Sequence, residues 1–184
     1  LAAWTLMGVL RRTLWMPSLR EAYGRWATPL AAVGALLWAV HPLQTQAVTY
    51  IIQRCESLMG LFFLLTFYGA LRGWQSPHRR RWHGLAIAAC LAGVGSKEVI
   101  AAAPVLVLLY DRMFVHGKLG DALKRSALLY VGLLGCWIVL GGLVLTAGVG
   151  ALGLERLNVT PLQYAVTQPG VILHYLRLAV WPAP

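Results

Sequence analysis

The chain has 184 residues, of which 59% are hydrophobic and only 12% charged, with a mean hydropathy of +0.66. Soluble domains carry about 25% charged residues, so this balance excludes an ordinary water-soluble globule and points to lipid as the solvent. The formal net charge of +10 would suggest nucleic acid in a soluble protein, but here the basic residues sit between apolar runs, which assigns them to membrane topology and leaves no nucleic-acid partner.

Apolar segments alternate with short polar ones along the whole chain. In order they are Leu1–Leu10, Ala27–Val40, Ser57–Leu71, Gly84–Gly95, Val99–Tyr110, Ser126–Gly148 and Thr167–Trp181. The pattern predicts an all-α, polytopic transmembrane helical bundle. A spanning helix needs about 20 residues, so by this reading only Ser126–Gly148 is long enough alone. The others need flanking polar residues, and Ala47–Ile52 is a candidate extension of the third segment. Gly84–Tyr110 could form one long helix with Ser96, Lys97 and Glu98 at its middle. Each charge there would cost about 2.5–3.5 kcal/mol, so two short helices meeting at Ser96–Glu98 fit better. Pro104 is then accommodated by local repacking. No repeat of 20 to 50 residues and no inverted internal symmetry appears, which argues against a transporter built on such repeats.

The basic residues set an orientation. Arg11, Arg12, Arg20 and Arg25 precede the second segment; Arg72, Arg79, Arg80 and Arg81 follow the third; Arg112, Lys118, Lys124 and Arg125 follow the fifth. These are twelve of the sixteen lysines and arginines. Arg54, Lys97, Arg156 and Arg177 are scattered singly through the rest. The positive-inside rule therefore predicts that loops 11–26, 72–83 and 111–125 face the cytoplasm. The Arg79–Arg81 run, flanked by Trp74 and Trp82, reads as an anchor to anionic lipid. Asp111 and Arg112 read as a helix end without chemistry.

Leu1 opens inside an apolar stretch, and residues 181–184 stop without a polar tail, so the expectation is a partial membrane domain truncated at both ends. Cys55, Cys90 and Cys136 are odd in number and widely spaced, which fits small buried hydrophobes rather than a disulfide framework or metal cage. No metal-ligand spacing occurs.

With those loops on one side, the remaining polar clusters fall on the other. They are His41 with Gln44 and Gln46, Arg54 with Glu56, Lys97 with Glu98, and Gln168 with His174 and Arg177. Polar groups so close to apolar runs are functional candidates. Arg54, Lys97 and Arg177 could converge on one lipid-borne phosphate, whose head suits arginine forks and whose tail suits lipid. Glu56 and Glu98 are the carboxylates available as a general base on that face, a weak assignment by spacing alone. Plainer roles compete at each cluster. Arg54 could pair with Glu56, Glu98 could sit at a helix N-terminus, His174 and Arg177 could snorkel, and His41 could cap the preceding helix.

The stretch His41–Tyr50, then Gln53–Leu58, resembles the signature of membrane O-mannosyltransferase-like proteins that carry tetratricopeptide repeats. Ser96–Val99 followed by Pro104 and Leu108–Arg112 resembles their next block, and Gln168–Arg177 with Trp181 and Pro182 a third. The blocks occur in family order over residues 30–184. The resemblance implies a GT-C-like glycosyltransferase in the bacterial inner membrane, with its site facing the periplasm and a tetratricopeptide domain downstream. It implies a polyprenyl-phosphate-linked sugar as donor, membrane lipid and an acceptor protein as partners, and no defined metal requirement. By motif match Arg54 contacts the lipid-linked phosphate, Lys97 belongs to the Ser-Lys-Glu turn, and His41, Gln44, Gln46 and His174 support the site. Gln46 stands where the eukaryotic-like form has glutamate. The family's catalytic carboxylate is expected in a loop upstream of Leu1, so this stretch alone is expected not to catalyse. The alternative is a non-catalytic anchor or lipid-binding scaffold for a periplasmic repeat domain.

Overall fold

The computed structural model describes residues 1–44, 54–147 and 161–181. Among these residues all regular structure is helical. The chain divides into two compact units, Leu1–Val139 and Leu140–Pro184, and each is described by itself.

The first unit opens with α1 (Ala2–Leu14), which carries Arg11 and Arg12 in its last turn, where a helix end favours cations. Pro17 occupies the first position of α2 (Pro17–Tyr23), a place where its missing N–H costs nothing. After a 3-10 turn at Gly24–Trp26, α3 (Ala27–Ala39) buries Ala27, Ala31 and Ala35. These residues recur every fourth position and form a small-residue stripe that packs α3 closely on α1.

The core of the unit is the hairpin of α4 (Arg54–Gln75) and α5 (Arg79–Val94). Its two helices meet through glycines. A methyl added at Gly69 would stand 3.0 Å from the Ala86 backbone nitrogen, and one added at Gly73 would overlap the His83 ring. Membrane helices lack a hydrophobic force between them, and close backbone approach of this kind supplies the dispersion contact instead. At 22 residues α4 rises about 33 Å, enough for the roughly 30 Å hydrocarbon core. The expectation that the 57–71 segment needs flanking polar residues to complete a crossing agrees with this length, although Ala47–Ile52, the candidate extension, lies outside the described residues. Arg54 and Glu56 at one end, and Arg72 to Gln75 at the other, continue the helix because their charged groups stand at its termini.

The predicted break within 84–110 is present. Ser96 and Lys97 donate their backbone N–H groups to the Gly93 carbonyl at 2.9 and 3.1 Å. A 3-10 stretch at Glu98–Ala101 then leads into α6 (Ala102–Phe114). Pro104 lies in the first turn of α6, where no intrahelical donor is required. Gly117, with φ +71°, lets the chain reverse into α7 (Leu119–Arg125), and α6 with its 3-10 prelude makes an angle of 112° with α7.

Helix α8 (Ala127–Ala147) begins in the first unit and is apolar on all sides. One face supplies buried Leu129, Leu133 and Cys136, while Val131 and Ile138 are 68% and 77% exposed. A face so apolar and so open is suited to lipid, and among the described residues α8 is the second helix long and apolar enough to cross a membrane. Cys90 is buried as expected, but Cys55 is exposed in the first turn of α4, which corrects the expectation for that residue. The second unit contains the end of α8 and α9 (Pro161–Val180), with Pro169 inside the helix.

Candidate functional site

The helices of the first unit run between two polar ends. At one end the three basic stretches come together. Arg12 Nη1 donates to Gln75 Oε1 at 2.8 Å, Arg79 Nη2 to Ser126 Oγ at 2.7 Å, and Tyr110 Oη to Thr13 Oγ1 at 2.8 Å. The start of α4 and the 95–98 turn lie at the other end, at the far end of a helix about 33 Å long.

At that second end the side-chain ammonium of Lys97 forms an ion pair with the carboxylate of Glu56. This pair crosses from the α5–α6 turn to the first turn of α4, so two of the predicted polar clusters meet. Arg54 is two residues before Glu56 and exposed at the same helix start. The alternative pairing of Arg54 with Glu56 is corrected by this geometry, since side chains two apart on a helix point to different sides. Glu98 is exposed in the first turn of the 3-10 stretch. His41 and Gln44 form a compact turn after α3, in which His41 Nδ1 accepts the Leu43 N–H at 3.3 Å and the His41 carbonyl accepts the Gln44 N–H at 2.9 Å. Gln46 and the candidate extension Ala47–Ile52 lie outside the described residues.

His174 and Arg177 belong to the second unit. They are exposed and stand one turn apart on α9, with the His174 ring 6.0 Å from that of Tyr175.

The pair of Lys97 and Glu56 is only partly enclosed, its side chains being 33% and 41% exposed. Exposed ion pairs contribute about 0–1 kcal/mol, so folding alone gives little reason for this one. A lysine ammonium has three donors. One is engaged by Glu56, and among the described residues no second side chain engages the others, which could meet a second anion.

The basic end holds what the sequence did not reveal. Asp111 is fully buried. Its Oδ2 accepts the Tyr130 hydroxyl at 2.5 Å, and its Oδ1 lies 2.5 Å from His116 Nδ1. A carboxylate shut away from water needs such partners. Ser126, also buried, accepts from both Trp74 Nε1 at 3.0 Å and Arg79. Trp74 in turn stacks on Tyr110 with ring centroids 6.2 Å apart, and Trp82 carries Arg72 over its face at 4.4 Å. The one signal available beforehand was an acid within the last turn of an apolar helix, which is uncommon enough to question.

No protein-family model and no solved structure matches the chain. Partial similarity to three curated proteins is present. Protein O-mannosyl-transferase Tmtc2 of Drosophila melanogaster is 32% identical over 117 residues, covering 60% of this chain and 12% of that protein. Human Protein O-mannosyl-transferase TMTC3 is 33% identical over 66 residues, 36% of this chain and 7% of its own length. Human Protein O-mannosyl-transferase TMTC4 is 37% identical over 51 residues, 28% of this chain and 7% of its own length. The matched stretches thus span about a tenth or less of those relatives. The similarity is therefore to short stretches of protein O-mannosyl-transferases, and among the described residues two helices are long and apolar enough to cross a bilayer, which supports a membrane protein.

Proposed function

We propose that this chain is the membrane part of a GT-C-like glycosyltransferase that moves a sugar from a polyprenyl-phosphate donor to a protein hydroxyl on the periplasmic side. The observation that carries the reading is the partial similarity to protein O-mannosyl-transferases. The meeting of Lys97 with the start of α4 supports where the donor phosphate would bind.

In the transfer, the bond between the anomeric carbon and the phosphate oxygen breaks and a bond from that carbon to the acceptor oxygen forms. The departing polyprenyl phosphate gains a negative charge. Arg54 would meet it as a fork and Lys97 as a point charge, which stabilises charge that develops only in the transition state. Glu56 then holds Lys97 in place and is a positioning residue rather than the base. The acceptor proton goes to a carboxylate, which the family resemblance puts in a loop preceding Leu1. From the sequence alone, Arg177 is assigned to phosphate binding and His41, Gln44, Gln46 and His174 to supporting roles. The basic end faces the cytoplasm, where anionic lipid and the positive-inside rule both favour it.

The test is Arg54→Ala in the full-length protein, assayed for sugar transfer from a polyprenyl-phosphate donor. Transfer is expected to fall about a hundredfold, with expression and membrane insertion normal. Unchanged transfer at matched protein level overturns the role of Arg54. If the wild-type protein transfers nothing, the scaffold reading takes over.

A further inference from the structure

The basic end contains a cavity of about 140 Å³ that the transferase reading does not use, lined by Arg79, Arg80, His83, Arg125, Ser126 and Leu128. We propose that Arg79, Arg80 and Arg125, with Ser126, form a binding site for the phosphate of an anionic lipid headgroup.

Three guanidiniums from the first turn of α5 and the last residue of α7 border one small space, and no carboxylate is among its lining residues. Like charges gathered this way repel unless an anion lies between them, and arginine forks match phosphate oxygens in pairs. Asp111, whose charge reaches His83 in the wall, can offset one of the three arginines at most and is not itself in the wall. Its contact Tyr130 lies one helical turn beyond Ser126, and both of its oxygens are engaged by Tyr130 and His116.

A second observation concerns the serine in the wall. Ser126 Oγ accepts two hydrogen bonds, from Trp74 and Arg79, which uses both of its lone pairs. Its own proton has no acceptor among the described residues, although the side chain is buried and borders the cavity. A buried donor left over is costly, and a phosphate oxygen would satisfy it. The N-cap residue of the 16-residue α5, His78, makes no side-chain capping bond, so the helix start adds to the same positive potential.

Size and surroundings select the source of the phosphate. A cavity of about 150 Å³ takes a benzene molecule, so a single phosphate group fits here and a nucleotide does not. Leu128, in the wall, is 56% exposed and leads one turn on to exposed Val131 of α8. That apolar path suits an acyl chain leaving a headgroup held in the cavity.

Arg81 supplies the internal control, because it stands in the same run and is absent from the cavity wall. Diffuse attraction to an anionic surface treats Arg80 and Arg81 alike; a built site does not. The full chain in detergent micelles is titrated with dioleoylphosphatidylglycerol, with dioleoylphosphatidylcholine and with inorganic phosphate, and bound lipid is counted by native mass spectrometry. Arg80→Gln and Arg125→Gln are each expected to weaken phosphatidylglycerol binding about tenfold, and Arg81→Gln less than about twofold. Arg125→Lys, which keeps the charge and disturbs folding least, is expected to lose about threefold through loss of the fork. Equal losses at Arg80 and Arg81, or no preference for phosphatidylglycerol over phosphatidylcholine, overturn the site. Displacement of the lipid by an equal concentration of inorganic phosphate overturns the lipid as its ligand.

Discussion

The two ends of the first unit use the same kinds of residue in opposite ways. At the basic end, Asp111 has no exposed surface and both its oxygens are engaged. At the other end, Glu56 keeps 41% of its side chain exposed and holds a single lysine. A carboxylate in water gains little from one partner, whereas a buried one depends on all of them. The acid at the basic end is thus bound into the fold, whereas the acid at the opposite end, in the proposed site, contributes little to it.

The sharpest way to break this contrast is Asp111→Ala. It would leave the Tyr130 hydroxyl and the His116 ring without their buried acceptor, and it should cost about 3 kcal/mol. Thermal unfolding of the purified chain in detergent checks this; a loss no larger than that of a surface substitution would remove the contrast. Next in size is Gly69→Val, which tests what keeps the two ends in register. The added branches would press on the Ala86 backbone, and backbone yields poorly, so a loss of about 2 kcal/mol is expected in the same assay. Tyr130→Phe is milder. It deletes one hydroxyl and leaves Asp111 with His116, for an expected loss of about 1.5 kcal/mol.

Much of this architecture was legible in the sequence, and the reason is the spacing of charge. Basic residues mark the ends of apolar runs, so the positions of α3, α5, α6 and α8 follow from where arginines and lysines cannot lie in lipid. Ser96 to Glu98 announced a break for the same reason. That the 57–71 run needs polar flanks to span was legible, but not where they end, because Arg54 and Glu56 suit a helix cap as well as a terminal turn. The candidate site was legible as a set of residues and not as a set of contacts. Glu56 meets Lys97 across 41 positions, while the sequence offered the nearer Arg54, which the helical period turns away. Asp111 was missed because its partner Tyr130 lies 19 residues on, beyond a reversal at Gly117 that local pattern does not orient.

The smallest expected effect on stability separates the two ends most clearly. Glu56→Gln keeps the shape of the side chain and removes its charge. Because the pair with Lys97 is open to solvent, unfolding should shift by no more than about 0.5 kcal/mol. Sugar transfer by the full-length protein should nonetheless fall, since an ammonium released from Glu56 no longer stands where the donor phosphate departs. A conservative Glu56→Asp change should behave between the two, because it keeps the charge but withdraws it by one methylene. If Glu56→Gln destabilises the chain as much as Tyr130→Phe, the two ends are held by the same means, and Glu56 is part of the scaffold rather than of the site.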